Sequence, residues 1–226
     1  MIIAIDGPSG AGKSTLGRLL ASALKLLYLD TGSMYRAIAL AVMESGLDRS
    51  DSEAIGSIAE NVEIDLDGNP DHLKVMLNGR DVTEEIRSDA VTEMSSIVST
   101  IPRVRRAMVA RQRELGRRGA ILNGRDIGTV VFPRADVKFF LTATPDERAL
   151  RRFREEQQQN PEASLPETFA DMSERDRRDS TRSDSPLKIA DDAVVIDSSG
   201  LSIDQVLQKR LTHIPAKKEL SADSAD

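Results

Sequence analysis

The 226-residue sequence predicts an α/β fold: a five-stranded parallel sheet flanked by helices, with a small antiparallel β/α insert and a helical lid. Three observations predict it. Short apolar runs alternate with segments of helical periodicity, the pattern of a sheet covered on both faces. The first run leads through the glycine-rich turn Gly7-Pro8-Ser9-Gly10-Ala11-Gly12-Lys13-Ser14 directly into a helix. Over residues 62–77, apolar and polar residues alternate with period two, an antiparallel pattern unlike the rest of the chain.

Each element has its own signal. Ile2–Ile5 is an apolar run suited to a buried strand, and Lys13–Leu24 carries Leu16, Leu19, Leu20, Ala23 and Leu24 at helical spacing. A short strand over Leu26–Leu29 ends at Asp30-Thr31-Gly32-Ser33, and a helix is expected over about Met34–Met43. Another starts at Ser50 or Asp51 and ends near Asn61. Val62–Leu66 and Leu73–Leu77 are the alternating strands, and Asn78-Gly79 is a tight-turn signal. Helical pattern returns over Ser88–Val98 and again from Pro102 to about Arg117. Ala120–Leu122 and Val137–Leu141 are buried-strand candidates. Thr144-Pro145-Asp146-Glu147 combines an N-cap, a proline at the first helical position and the glutamate of a capping box. A charged helix is expected from Pro166 to about Asp179, a last strand at Ala193–Ile196, and a last helix over Ser202–Leu211 with Ser202 and Gln205 as a second capping box.

This gives a core over residues 1–61 and 95–215, with a lid at about 150–185, an inserted subdomain at 62–94 and a disordered tail at 216–226. The chain has no cysteine, so a disulfide framework, a zinc–thiolate site and a cysteine nucleophile are excluded. A net charge of −6 argues against a general nucleic-acid binder. No apolar run is long enough to span a bilayer, and the first strand begins at Ile2, leaving no room for a signal peptide. The expectation is a cytoplasmic monomer acting on small molecules, with neither membrane nor nucleic acid as partner.

The turn Gly7–Ser14 has the spacing G-x-x-x-x-G-K-[ST] of a phosphate-binding loop, which sets the ligand class as a nucleoside triphosphate. Backbone N–H groups and the helix N-terminus face the phosphates. Lys13 brings a point charge to the β- and γ-phosphates, and the Ser14 hydroxyl is the expected Mg²⁺ ligand. A serine-hydrolase elbow fails because Ala11 stands where glycine is required. No asparagine is followed by lysine, so the base-reading motif of a GTPase is missing. A kinase or an ATPase remains.

A kinase must hold a second, anionic substrate, and the guanidinium fork suits that task. Arg36, one turn into the helix after the second strand, and Arg125, directly after the third, are the candidates. Arg175, Arg178, Asp179 and Arg182 recur at helical spacing within a charged run. The alternative for that run is a solvated, salt-bridged helix. As part of a lid, Arg175 and Arg182 would bring positive charge over the transferring group.

Several stretches then carry a family resemblance: residues 5–13, Leu29-Asp30-Thr31-Gly32-Ser33-Met34-Tyr35-Arg36, Ile101-Pro102-Arg103-Val104-Arg105, Gly124-Arg125-Asp126-Ile127-Gly128-Thr129, and Glu174-Arg175-Asp176 with Asp179. From Ile2 to about Leu211 the chain resembles the bacterial cytidylate kinases, P-loop nucleoside monophosphate kinases. The resemblance implies transfer of the γ-phosphate of ATP to CMP or dCMP with Mg²⁺. It implies that Arg36 and Arg125 hold the CMP phosphate. Ser96, Arg105 and Asp126 would read cytosine, and Asp179, with Arg175 or Arg182, would address the ribose. Thr31 joins this substrate set and Thr15 the ATP set. Arg151, Arg154 and Arg175 become lid arginines. UMP, AMP and shikimate are the alternative acceptors. Two positions depart from the pattern: Ser14 replaces a common glycine, and Asn123 replaces a common acidic residue that would order the metal's water shell more strongly than an amide.

Overall fold

The computed structural model describes residues 1–158, 160–201, 205 and 206. Its main sheet contains strands β1 (Ile2–Asp6), β2 (Leu27–Asp30), β6 (Ala120–Gly124), β7 (Val137–Thr142) and β8 (Val194–Asp197), all parallel, in the order β2-β6-β1-β7-β8. A smaller antiparallel sheet contains β3 (Ile64–Asn69), β4 (His72–Leu77) and β5 (Arg80–Asp81). The helices are α1 (Lys13–Leu24), α2 (Thr31–Ser45), α3 (Ser52–Asn61), α4 (Asp89–Val98), α5 (Pro102–Gly116), α6 (Pro145–Gln157) and α7 (Leu165–Thr181).

Burial on both faces explains the apolar runs of the main sheet. Ile3 and Ile5 of β1 pack with Leu16 and Leu20 of α1, while Ala4 between them packs with Leu29, Leu122, Ile127 and Val131. The small sheet shares a separate cluster with four helices: Val75 and Leu77 pack with Ile38 of α2, Ile55 of α3, Met94 of α4 and Val104 of α5.

Several boundaries shift for identifiable reasons. Asp30 is an N-cap that accepts from Gly32 N at 3.0 Å, so α2 begins at Thr31 rather than at Met34. Asp51 likewise caps Ser52–Asn61. Asn78 and Gly79 both adopt positive φ, as a two-residue hairpin turn requires, and Leu77 faces Arg80 across it. Only half of the capping box at Thr144 forms. Its hydroxyl accepts from Glu147 N at 3.4 Å, but Thr144 N donates to Ser199 Oγ and the Glu147 carboxylate turns to Arg151. Residues Ile127–Val131 form a π-helical turn that the sequence pattern does not announce. The helix expected over Ser202–Leu211 and the tail lie outside the described residues, except for Gln205 and Val206, which are helical.

Strand register sets the site. Asp6 lies opposite Gly124, and Asp30 lies opposite Asn123. The carboxyl ends of β1, β2 and β6 therefore bring the loop after Gly7, the start of α2 and the Asn123–Asp126 segment to one edge of the sheet, where ligands bind in such folds.

Candidate active site

The phosphate-loop backbone follows from its glycines at two positions. Gly7 has φ +146°, and a Cβ there would lie 2.0 Å from Leu141 O. Gly10 has φ +72°, and a Cβ would lie 2.7 Å from Arg148 O. Only glycine lets the loop press this closely on β7 and α6. Lys13 is buried, and its Nζ donates to Pro8 O at 2.6 Å, which holds the ammonium over the loop. Arg148 fixes the loop from outside, donating from Nη1 to Ser9 O at 3.0 Å and to Asp176 of α7 at 2.5 Å.

Four cations converge beyond the loop. Burial, then the charges of Arg125 and Arg175, hold Lys13 well below the usual lysine range. Burial and Arg125 push Arg175 down to about 10, with Arg36 and Arg152 acting in the same direction. Burial also lowers Arg36, which feels Arg152, Arg125 and Arg87, and its Nε has no partner. Arg125 behaves differently. Burial opposes its charge, but Asp179, accepting from its Nε at 2.7 Å, keeps it above the ordinary arginine value. Mutual repulsion of this kind is relieved by an anion placed among the four groups.

A second cluster lies beside the first. Arg105 of α5 is 1% exposed and donates from Nη2 to Asp126 Oδ2 at 2.6 Å and from Nη1 to Ser99 O at 3.4 Å. Its guanidinium carbon lies 5.7 Å from the centre of the Tyr35 ring. Arg182 bridges two carboxylates, 3.6 Å from Asp126 Oδ1 and 3.5 Å from Asp179 Oδ1. Ser96 Oγ and Arg105 Nε are buried without a hydrogen-bond partner. An unsatisfied guanidinium N–H next to a paired carboxylate suits the polar edge of a ligand base.

The chain's match to the family model for cytidylate kinase extends over residues 3–216. The chain belongs to the cytidylate kinase family. It is 50% identical over 209 residues to a cytidylate kinase of Solibacter usitatus, covering 91% of this chain and 88% of that one. It is 44% identical to a cytidylate kinase of Syntrophotalea carbinolica, covering 100% and 97% of the two chains. A solved structure of an uncharacterized protein from Eubacterium ventriosum shares the fold with a TM-score of 0.53 at 10% identity, covering 96% of this chain and 99% of that one. This cytidylate kinase family member is accordingly a phosphotransferase.

Most site residues expected from the sequence gather at the sheet edge. Lys13, Arg36, Arg125 and Arg175 form the first cluster, Arg105, Asp126, Asp179 and Arg182 form the second, and Ser96 is buried on α4. Arg182 thus stands between the Asp126 and Asp179 carboxylates, while Arg175 is the α7 arginine whose charge acts on Lys13. Thr31 is buried and donates to Asn123 O at 2.7 Å, tying α2 to the end of β6. Arg151 turns the other way, donating to Ser198 O at 2.7 Å, and helps line a cavity of about 170 Å³ with Ala11, Gly12, Thr15, Leu141, Ser198, Leu201 and Val206. Arg154 is exposed on α6. The arginine of α6 that faces Arg36 and Arg175 is Arg152, one position after Arg151 and on a different side of the helix.

Ser14 sits in a polar cluster. Its Oγ accepts from Asn123 Nδ2 at 3.1 Å, and the same amide lies 3.5 Å from Asp30 Oδ1. Asn123 Oδ1 is buried without a partner. Burial, with the charge of Asp30 beside it, pushes the nearby Tyr28 hydroxyl far up, so it stays neutral. A hydroxyl, an amide oxygen and a carboxylate are hard donors that fit Mg²⁺, a cation that keeps several waters. Among the described residues no group of three or more His, Cys, Asp or Glu could hold a metal ion alone. The residue pattern did not place Asp30 or the neighbouring Tyr28 in this polar cluster. Asp30 had a usable signal, since it follows a strand on the binding edge, whereas Tyr28 carried none.

Proposed function

We propose that this chain transfers the γ-phosphoryl group of ATP to CMP and dCMP. The observation that carries the choice of acceptor is the buried Arg105–Asp126 pair at 2.6 Å, joined through Arg182 and Asp179 to Arg125 of the cation cluster. Cytosine presents an exocyclic amine beside the N3 and O2 acceptors. A carboxylate suits the amine and an arginine suits the acceptors. Uracil places a carbonyl where the amine would be, so Asp126 would face an acceptor.

The residues divide the work. The loop over Gly7–Ser14, with Thr15, holds the triphosphate through backbone N–H groups and Lys13, and the cavity beside Arg151 and Ser198 takes the donor nucleoside. Arg36 and Arg125 hold the CMP phosphate, and Asp179 addresses the ribose. Arg175 carries a charge that acts on both Lys13 and Arg125, and it would stabilise charge on the transferring phosphoryl group. Ser14, Asn123 and Asp30 would hold Mg²⁺, directly or through water. When bound, the ion neutralises charge on the β- and γ-phosphates. Helices α6 and α7 form the lid, the small sheet belongs to the acceptor subdomain, and the enzyme works as a cytoplasmic monomer.

The test is a panel of CMP, dCMP, UMP, AMP and shikimate assayed with ATP and Mg²⁺. CMP and dCMP should have the highest kcat/KM. Preference for AMP, UMP or shikimate would overturn the reading.

A further inference from the structure

An N-capping position is left vacant where the sequence provides a side chain able to fill it. The first N–H groups of a helical turn have no partner inside the turn, and an aspartate at the N-cap commonly accepts from them. Asp126 occupies that position before the turn Ile127–Val131, yet its side chain makes no capping hydrogen bond. Its oxygens face Arg105 and Arg182 instead. The open N–H groups are taken by Asp6, from the end of β1. Its Oδ1 accepts from Ile127 N at 2.8 Å and its Oδ2 from Gly128 N at 2.7 Å.

We infer that Asp6 is a positioning residue for the acceptor base site: it caps the Ile127–Val131 turn from a neighbouring strand and thereby leaves the Asp126 carboxylate free to face Arg105, Arg182 and the base. Asp6 is 4% exposed and lies opposite Gly124 in the sheet, one residue before Gly7. A single side chain thus joins the strand that carries the phosphate loop to the segment that carries Arg125 and Asp126. Packing around the contact is close. A Cβ on Gly128 would lie 3.3 Å from Asp6 Oδ2 and 3.1 Å from Lys138 Cδ, so a side chain there would crowd the Asp6 contact. Burial and the like charge of Asp126 work to neutralise Asp6, while the two amides and Lys13 favour its charged form, leaving its pKa raised to about 6. At neutral pH both oxygens are therefore available as acceptors.

The inference rests on Asp126 contacting the base, and a double-mutant cycle separates the two claims. Asp6→Asn conserves shape but presents an NH₂ donor to one of the two N–H groups. In the wild-type background it should lower the ratio of kcat/KM for CMP over UMP by about tenfold or more, raising KM for CMP and leaving KM for ATP within about twofold. In an Asp126→Ala background it should leave that ratio unchanged. An equal drop in both backgrounds, or no drop in the wild-type background, overturns the inference. If Asp126→Ala alone leaves the ratio unchanged, the base reading of Asp126 fails, and a crystal structure of Asp6→Asn decides the capping role. Loss of the Arg105–Asp126 bond supports it, and retention of that bond overturns it.

Discussion

At the scale of single residues, the site is a balance of buried charges. Lys13 is held down by burial and by two arginines, an arrangement that favours an anionic ligand. Lys13→Ala should lower kcat by about 10²- to 10³-fold with the fold intact, checked by steady-state assay and by circular dichroism. Near-normal turnover would remove Lys13 from its proposed role. Asp126 balances Arg105 and Arg182. Asp126→Ala leaves those guanidiniums without their shared carboxylate and should reduce stability by about 3 kcal/mol. Urea unfolding would show this, and a loss below about 1 kcal/mol would mean that solvent or Asp184, whose Oδ1 lies 3.9 Å from Arg105 Nε, satisfies Arg105 instead. The phosphate loop and the cation set were legible in the sequence because motif spacing and strand ends announce them. The orientation of the α6 arginines was not. Arg151, Arg152 and Arg154 lie within one helical turn, and small rotations of the helix decide which one faces the site.

At the scale of elements, the strands of the main sheet follow from their apolar runs, and several helix starts from their caps, Asp51, Ser88 and Thr144 among them. The turn Ile127–Val131 was not legible. Its residues, Ile-Gly-Thr-Val-Val, favour extended structure, and its helical form is capped from outside by a residue more than a hundred positions away. Half of the Thr144 capping box failed for a related reason, since Ser199 supplies the long-range partner that Glu147 would have been locally. Long-range hydrogen bonds leave no periodic trace in a sequence. Close approach of elements does leave one, as glycine. Gly7→Ala would place a methyl group against Leu141 O at a backbone angle that side chains rarely adopt. It should cost more than about 2 kcal/mol. A thermal melt within about a degree of wild type would contradict this.

At the scale of the whole molecule, Asp6 links stability to pH. Its pKa in the fold, about 6, lies above the usual carboxylate value, so between roughly pH 4 and 6 the folded state binds more protons than the unfolded state. The favourable contribution is complete below the unfolded pKa and is lost as pH rises through about 6. Asp126, Lys13 and Arg125 are charged groups that act on Asp6, and the difference between wild type and Asp6→Asn isolates its own titration. Relative to that variant, wild type should lose about 2 kcal/mol between pH 4 and 7. A difference that stays flat with pH would contradict the assignment.

On the proposed function, one sheet edge holds two nucleotides head to head, with Lys13, Arg175 and Arg125 between their phosphates. The most direct measurement is calorimetric titration with adenosine and cytidine joined through a five-phosphate bridge, set against the uridine counterpart. The cytidine compound should bind more tightly than ATP or CMP alone, and at least about tenfold more tightly than the uridine compound. Equal affinity for the two bridged compounds, or affinity no better than that of ATP, would contradict it.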